Sequence, residues 1–300
     1  MHYLGSGPSL VTAAIGIMLY DDYFQDLLEL VALLRMFDES CTSAAYGYRN
    51  GLLYPAYTAA SFMRAISLAM QRGVKEAGVL TWAFEYEQTA LLPNQTGFFD
   101  DGFKVLSTQG LDKPVLNVHR MWGMMSGEMV ATNSSGQVPI DVVLADGIRG
   151  GNIDVGVVAS FNSSTETAYV FVWNYHDRDL QFRNAEIRLE VQGLPATFLD
   201  NPDGISYTHY RIDNDHGNSY SRWQAMGSPQ APSEEQDQVL VSAGKLETIA
   251  EANEPVVPID GKLTLNMSLS VRATSLLVLH NDKSDDPVEV SPQFEYYICT

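Results

Sequence analysis

Beyond Gly127 the chain is cut into short alternating runs, and no other feature narrows its fold as much. The runs are Val138–Leu144, Ile153–Phe161, Ala168–Tyr175, Ala185–Val191, Ser206–Ile212, Lys262–Leu269 and Ser275–His280. Apolar residues alternating with polar ones fit strands, and turn residues at short intervals favour hairpins over long crossovers. Seven such runs predict an antiparallel β-sandwich. One helix interrupts them, Ser233–Ala243, opened by Ser233-Glu234-Glu235-Gln236 in a capping-box pattern. Tyr169, Phe171, Trp173 and Tyr175 share one face of a run, as sandwich core or as a platform for a sugar ring.

The first part of the chain has a different rhythm. Residues 21–37 open on Asp21 and Asp22 and carry Phe24, Leu27, Leu28, Val31 and Leu34 at helical spacing, although Leu30–Phe37 equally suits a buried strand. Asp38–Tyr57 reads as a loop. Tyr57–Arg72 is a helix, with Phe62, Ile66, Ala69 and Met70 on one side and Gly73 as its stop. Gly78–Glu87 is β-branched and aromatic and reads as a strand. Helices are expected at about Phe98–Thr108 and Pro114–Met125. Helix, strand and helices in this order make a β/α pattern. There is no internal repeat.

Charge narrows the partners. Asp and Glu number 37 against 18 Lys and Arg, a net charge of −19. Such an excess argues against binding phosphate backbones or anionic lipid surfaces, so neither nucleic acid nor a membrane is an expected partner. No apolar run is long enough to span a bilayer. Cys41 and Cys299 are the only cysteines, enough for one bridge and not for a disulfide framework. Four N-glycosylation sequons begin at Asn94, Asn133, Asn162 and Asn266. Together they favour a secreted, extracellular protein. The apolar run Leu10–Tyr20 lacks a preceding cation and makes a poor signal peptide.

Five ordered blocks carry a family resemblance. They are Tyr48-Arg-Asn-Gly51 with Tyr57-Thr-Ala-Ala60, Thr81-Trp-Ala-Phe-Glu85, and Asp112-Lys-Pro-Val-Leu-Asn-Val118 with Arg120-Met121 and Met124-Met-Ser-Gly127. Val172-Trp-Asn-Tyr-His-Asp177 with Asp179 follows. The last runs from His209-Tyr-Arg-Ile-Asp213 through His216, Asn218, Ser219, Tyr220 and Trp223 to Met226-Gly-Ser-Pro-Gln230. In content, order and spacing they resemble glycoside hydrolase family 39, the β-xylosidase family. The resemblance covers about residues 38–280. It implies α/β plus all-β architecture, a partial (β/α)8 TIM-barrel segment followed by an antiparallel β-sandwich. Residues 1–37 match no block and form an atypical N-terminal segment. Residues 38–126 correspond to the last part of the barrel, 127–283 to the accessory sandwich and 284–300 to a tail.

By resemblance the activity is hydrolysis of terminal β-D-xylosyl residues from xylo-oligosaccharides or related β-glycosides, with retention and without metal or organic cofactor. Retention takes two carboxylates about 5–5.5 Å apart, one attacking the anomeric carbon and one serving as acid and then base. The family's acid/base lies in Asn-Glu-Pro after a barrel strand. Asn253-Glu254-Pro255 repeats those letters within the sandwich region and reads as a Pro-bounded surface loop, leaving the acid/base position without a match. The nucleophile belongs near Met36-Phe37-Asp38-Glu39-Ser40-Cys41. Alignment on Cys41 sets Met36 in its place, and a shifted register makes Glu39 the candidate nucleophile. Trp82, Glu85 and Glu87 fall where the family lines its sugar site, with Trp82 suited to stacking and the acids to accepting hydroxyl hydrogen bonds.

A complete barrel takes about 250 residues. The expectation is therefore a truncated unit, inactive alone, whose exposed barrel edges invite pairing into a homo-oligomer. If nothing covers those edges, the sandwich alone should stay folded from about residue 127 onward. The alternative is a non-catalytic carbohydrate-binding or interaction module built on the sandwich. His209, Asp213, Asp215 and His216 carry donors suited to a metal, but they read as a hydrogen-bonded structural network. His119 and Trp122 stand where the family has phenylalanines and read as packing changes.

Overall fold

The computed structural model describes residues 15–19, 50–71, 76–81, 98–99, 106–107, 109–148, 151, 153–177, 183–249 and 255–280. Its helices are α1 (Leu53–Gln71), α2 (Pro114–Met124), α3 (Ile140–Asp146), α4 (Ala196–Leu199), α5 (Ser219–Ala225) and α6 (Glu234–Gly244). Its strands are β1 (Ile15–Leu19), β2 (Glu76–Thr81), β3 (Glu128–Val130), β4 (Asp154–Asn162), β5 (Thr167–Tyr175), β6 (Ala185–Gln192), β7 (Ser206–Ile212), β8 (Lys262–Leu269) and β9 (Thr274–His280).

Beyond residue 127 the strands form two antiparallel sheets. One has five strands in the order β3-β4-β5-β9-β7, and the other pairs β6 with β8. The β4–β5 hairpin fixes the register from Asp154 against Tyr175 to Asn162 against Thr167. The central strand β5 is buried along its whole length. Its two faces go to different places, because successive side chains of a strand point to opposite sides. Ala168, Val170 and Val172 join Leu263, Leu265, Leu277 and Leu279 between the two sheets. Tyr169, Phe171, Trp173 and Tyr175 face the other way, into a core shared with α1, α2 and α3. The aromatic row is thus core, but its partners are helices, and a buried row offers no platform to a sugar.

The layers run helices, five-stranded sheet, two-stranded sheet. The helical layer is built by short-range rules. Pro114 takes the first position of α2, where its missing N–H costs nothing. Along α1, Leu53, Tyr54, Ala56, Tyr57, Ala60 and Met63 are all buried against the sheet side. Tyr57 meets Tyr175 at 6.2 Å between ring centroids, and Trp122 of α2 meets Phe171 at 6.1 Å.

Several expectations are corrected. Val138–Leu144 is not a strand, since Ile140–Asp146 forms α3. Pro139 precedes the helix, Asp141 sits in its first turn and Gly147 closes it at φ 72°. The acid near the positive end of the helix and the glycine that ends it outweigh the β-branched content of the run. The expected helix at 98–108 is absent at its described positions. Phe98 and Phe99 lie in a bend, and Leu106 bridges Asp112. Both phenylalanines are consumed by one cluster around Trp223, Leu111 and Leu240. The strand expected at Gly78–Glu87 begins at Glu76 and is described to Thr81. It pairs antiparallel with β1, Ile15 opposite Thr81, where a barrel strand pairs in parallel. Among the described residues no parallel pair occurs. The expected helix or strand within 21–37, the tail 284–300 and both cysteines lie outside the described residues. No helix among those described is long and apolar enough to cross a membrane.

Candidate functional site

The four residues singled out for sugar chemistry, Glu39, Trp82, Glu85 and Glu87, lie outside the described residues. The described chain shows what flanks them. β2 ends at Thr81, immediately before Trp82, and α1 starts at Leu53, shortly after the buried Asn50. Of these two elements, α1 belongs to the helical layer over the sheet's aromatic face.

That layer is fixed to the sheet by a buried polar junction. Arg64, on the sheet-facing side of α1, is 6% exposed and pairs with Asp154, which is fully buried. The same guanidinium donates to the carbonyl of Val138 at 2.9 Å. Asp154 also accepts from Val138 N at 2.8 Å and from Trp173 Nε1 at 2.9 Å. Its oxygens are filled by a cation, an amide and an indole. A buried charge is tolerable when so paired. The second buried acid, Asp177, accepts from Ile148 N at 2.8 Å through Oδ2. Neither carboxylate is a catalytic acid held ready for a sugar.

A second junction holds the start of α2. Arg120 Nη1 donates to Asp112 Oδ2 at 2.6 Å and to Asn117 Oδ1 at 2.8 Å. Asn117 Nδ2 then donates to the carbonyls of Gly217 and Gly244, at 3.0 and 2.8 Å. Ser219 Oγ closes the ring on the carbonyl of Asp112. Two of the five sequence blocks are thus one hydrogen-bonded unit, joining the helical layer to α5 and α6.

The His209–His216 block is structural in its geometry. Asp213 Oδ1 accepts from the backbone N–H of Asp215 and of His216, both at 2.9 Å, and lies 2.8 Å from His216 Nδ1. Asn218 caps α5 by accepting from Ser221 N. Among the described residues no three His, Cys, Asp or Glu side chains gather closely enough to hold a metal ion. His209 is buried, and its Nε2 has no hydrogen-bond partner among the described residues. Burial, then the neighbouring Arg211 and His216, push its pKa down to about 4 against a smaller opposing pull from Asp213. Burial likewise raises the Tyr57 and Tyr210 hydroxyls above their ordinary value. His119 packs edge-on to Trp122, with ring centroids 5.4 Å apart, and Trp122 meets Phe62 at 5.5 Å. Both departures from phenylalanine serve packing.

Sequence reasoning missed the Arg64–Asp154 pair. The available signal was a lone cation inside an otherwise apolar helix face and a lone acid opening an apolar strand. Nothing local joins two residues 90 positions apart. Asn253 and Glu254 lie outside the described residues. Pro255, which follows them, is exposed beside the Val256–Ile205 bridge.

Comparison with known proteins accords with this layout. The sequence profile of glycosyl hydrolases family 39 matches residues 36–264. Mouse (Mus musculus) alpha-L-iduronidase is 31% identical over 178 residues, covering 57% of this chain and 25% of that protein. The GH39 enzyme from Xanthomonas axonopodis pv. citri superposes with a TM-score of 0.54 at 14% identity, over 80% of this chain and 42% of the other. A GH39 β-xylosidase from Caulobacter crescentus gives 0.51 at 15% identity, over 81% of this chain and 42% of its own. At those identities the superpositions speak for the fold. The chain spans about a quarter of the length of the iduronidase and about two-fifths of these two structures. With more than half of its length matched by the profile, the chain belongs to glycosyl hydrolases family 39.

Proposed function

We propose that this chain carries part of the sugar-binding end of a retaining O-glycosyl hydrolase, and that by itself it binds a terminal β-D-xylosyl unit without cleaving it. The observation that carries the reading is the family match over residues 36–264, which takes in Glu39, Trp82, Glu85 and Glu87. In this reading Trp82 stacks on the pyranose face, Glu85 and Glu87 accept its hydroxyls, and Glu39 faces the anomeric carbon. Turnover needs a second, protonated carboxyl to assist the leaving oxygen. The two buried acids among the described residues are committed to Arg64 and to backbone or indole N–H groups, which supports binding without turnover.

The test is direct. Xylo-oligosaccharide titration should quench tryptophan fluorescence, Trp82→Ala should abolish the quench, and an aryl β-D-xyloside should release no leaving group. Leaving-group release that Glu39→Gln abolishes would overturn the reading. A quench that survives Trp82→Ala would move the site to the sandwich and favour a carbohydrate-binding module.

The iduronidase relative supports a second choice of sugar, a terminal α-L-iduronide. Competition between the two aryl glycosides for the same quench decides it. The tighter competitor names the substrate class.

A further inference from the structure

Between the two sheets lies an open groove of about 420 Å³, which the sugar chemistry above does not use. Its walls include Val130, Val157, Phe161, Leu189, Val191 and Leu194. Met129 and Val130 beside it are 38% and 43% exposed. Residues 189–195 of β6 and its continuation line one side, and β6 pairs only with β8 among the described residues. An apolar groove beside a strand edge is an aggregation hazard unless something covers it.

A sequon sits on its rim. After β3 the chain continues along β4, where Thr132 Oγ1 donates to the carbonyl of Val157 at 3.1 Å and Ser134 Oγ to that of Val155 at 2.6 Å. These two bonds pin alternate residues. Asn133 between them is exposed, lines the groove, and makes no side-chain hydrogen bond to the described residues. Ser135, the sequon hydroxyl, is exposed in the following turn.

The other sequons differ. Asn266 lies on the exposed face of β8 opposite Arg188, among polar neighbours. Asn162 is occupied. Its Oδ1 accepts from Ser164 N and Thr165 N, at 2.9 and 3.3 Å, and shapes the β4–β5 turn. Its Nδ2 donates to Ser126 Oγ at 3.0 Å. The backbone at Gly127 is so close that an added Cβ would lie 2.5 Å from the Asn162 Cα. The Asn94 sequon lies outside the described residues.

We propose that Asn133 carries an N-linked glycan that covers the groove between the sheets, that Asn266 carries a second, and that Asn162 carries none. In the transfer, Nδ2 attacks C1 of a sugar held on a lipid-linked pyrophosphate donor. The new C–N bond replaces the C1–O bond, the pyrophosphate leaves with that electron pair, and the amide gives up one proton. Nothing is oxidised or reduced. Carbon-bound hydrogens of the first sugars cover the apolar walls, while their hydroxyls face water.

The experiment uses the full chain directed into the secretory pathway of cultured animal cells. Glycans are released by amidase in ¹⁸O-water, and each sequon peptide is read by mass spectrometry. The expected result is ¹⁸O-labelled aspartate at 133 and 266 and unmodified asparagine at 162. Label at Asn162, or its absence at Asn133 or Asn266, overturns the assignment. Ser135→Ala removes the sequon while leaving Asn133 and the bonds of Ser134 in place. It should raise the fluorescence of an apolar dye severalfold over wild type, whereas Asn266→Gln should not. Equal dye binding by wild type and Ser135→Ala overturns the covering of the groove.

Discussion

Asp154 shows how much one side chain can decide. It accepts from Arg64, from the backbone of Val138 and from Trp173, and so gathers α1, the chain before α3 and β5 at one point. Replacing it by Asn keeps the shape and removes the charge, leaving the Arg64 cation buried without an anion. Breaking a buried pair in this way costs about 3–5 kcal/mol, so the urea midpoint of Asp154→Asn should fall accordingly. The added replacement Arg64→Met should recover part of that loss, because the two changes remove one shared interaction. His209 gives a pH-dependent counterpart. Its pKa is about 4 in the fold against the ordinary 6.5, so the folded state disfavours its proton. Below pH 6.5 the unfolded chain takes up a proton that the folded one refuses, until the pH approaches 4. Stability from this group is full above pH 6.5 and is lost as pH falls toward 4, by up to about 3 kcal/mol. Wild type should lose that much more than His209→Gln between pH 7 and 4, measured by urea unfolding. The block from His209 to His216 read in the sequence as a hydrogen-bonded network, and Asp213 and His216 form one. That His209 is buried with its Nε2 unpartnered among the described residues was hidden, because burial is a property of the folded neighbourhood.

At the scale of elements, local signals worked where they were the only forces present. Ser233 accepts from Gln236 N while the Gln236 side chain accepts from Ser233 N, the box that its four-residue pattern announces. The strands from Ile153 onward begin and end within one residue of the runs that announced them. Val138–Leu144 fails for a physical reason, since β-branched content competed with an acid in the first helical turn and a closing glycine, and the helix won. Pairing depends on a detail no propensity scale contains. Gly156 lies opposite Trp173, and a Cβ there would come within 2.0 Å of the indole. The glycine leaves room for the ring that reaches Asp154. Gly156→Ala should therefore cost roughly 1–3 kcal/mol through overpacking, well beyond the effect of an ordinary strand substitution. Loss of the tight near-ultraviolet circular dichroism of the tryptophans would accompany it.

At the scale of the whole molecule, the core crosses the boundary that the sequence drew at residue 127. Tyr169, Phe171, Trp173, Tyr175, Tyr210 and Leu276 on the sheet pack with residues of α1 and α2. A fragment of residues 127–283 would expose that aromatic face to water. It should bind apolar dyes and self-associate, and a soluble monomer by sedimentation would show instead that the sandwich stands alone. The helices α1 and α2, upstream of residue 127, thus serve as the cover for the aromatic face of the sheet.

The sequence by itself determined the antiparallel strands, the helices at Pro114 and Glu234, the body of the helix expected from Tyr57, which the fold starts a turn earlier at Leu53, and the family. Those follow from period, caps and ordered motifs, all of which act along the chain. Only the tertiary structure decided that the β5 aromatics meet helices and not the second sheet, that Arg64 finds Asp154, and that Asn133 is open where Asn162 is engaged. A period of two reports that a face is buried and carries no information on what buries it. That answer depends on side chains far apart in sequence, such as Arg64 and Val138, 74 positions apart, which meet only when the layers close.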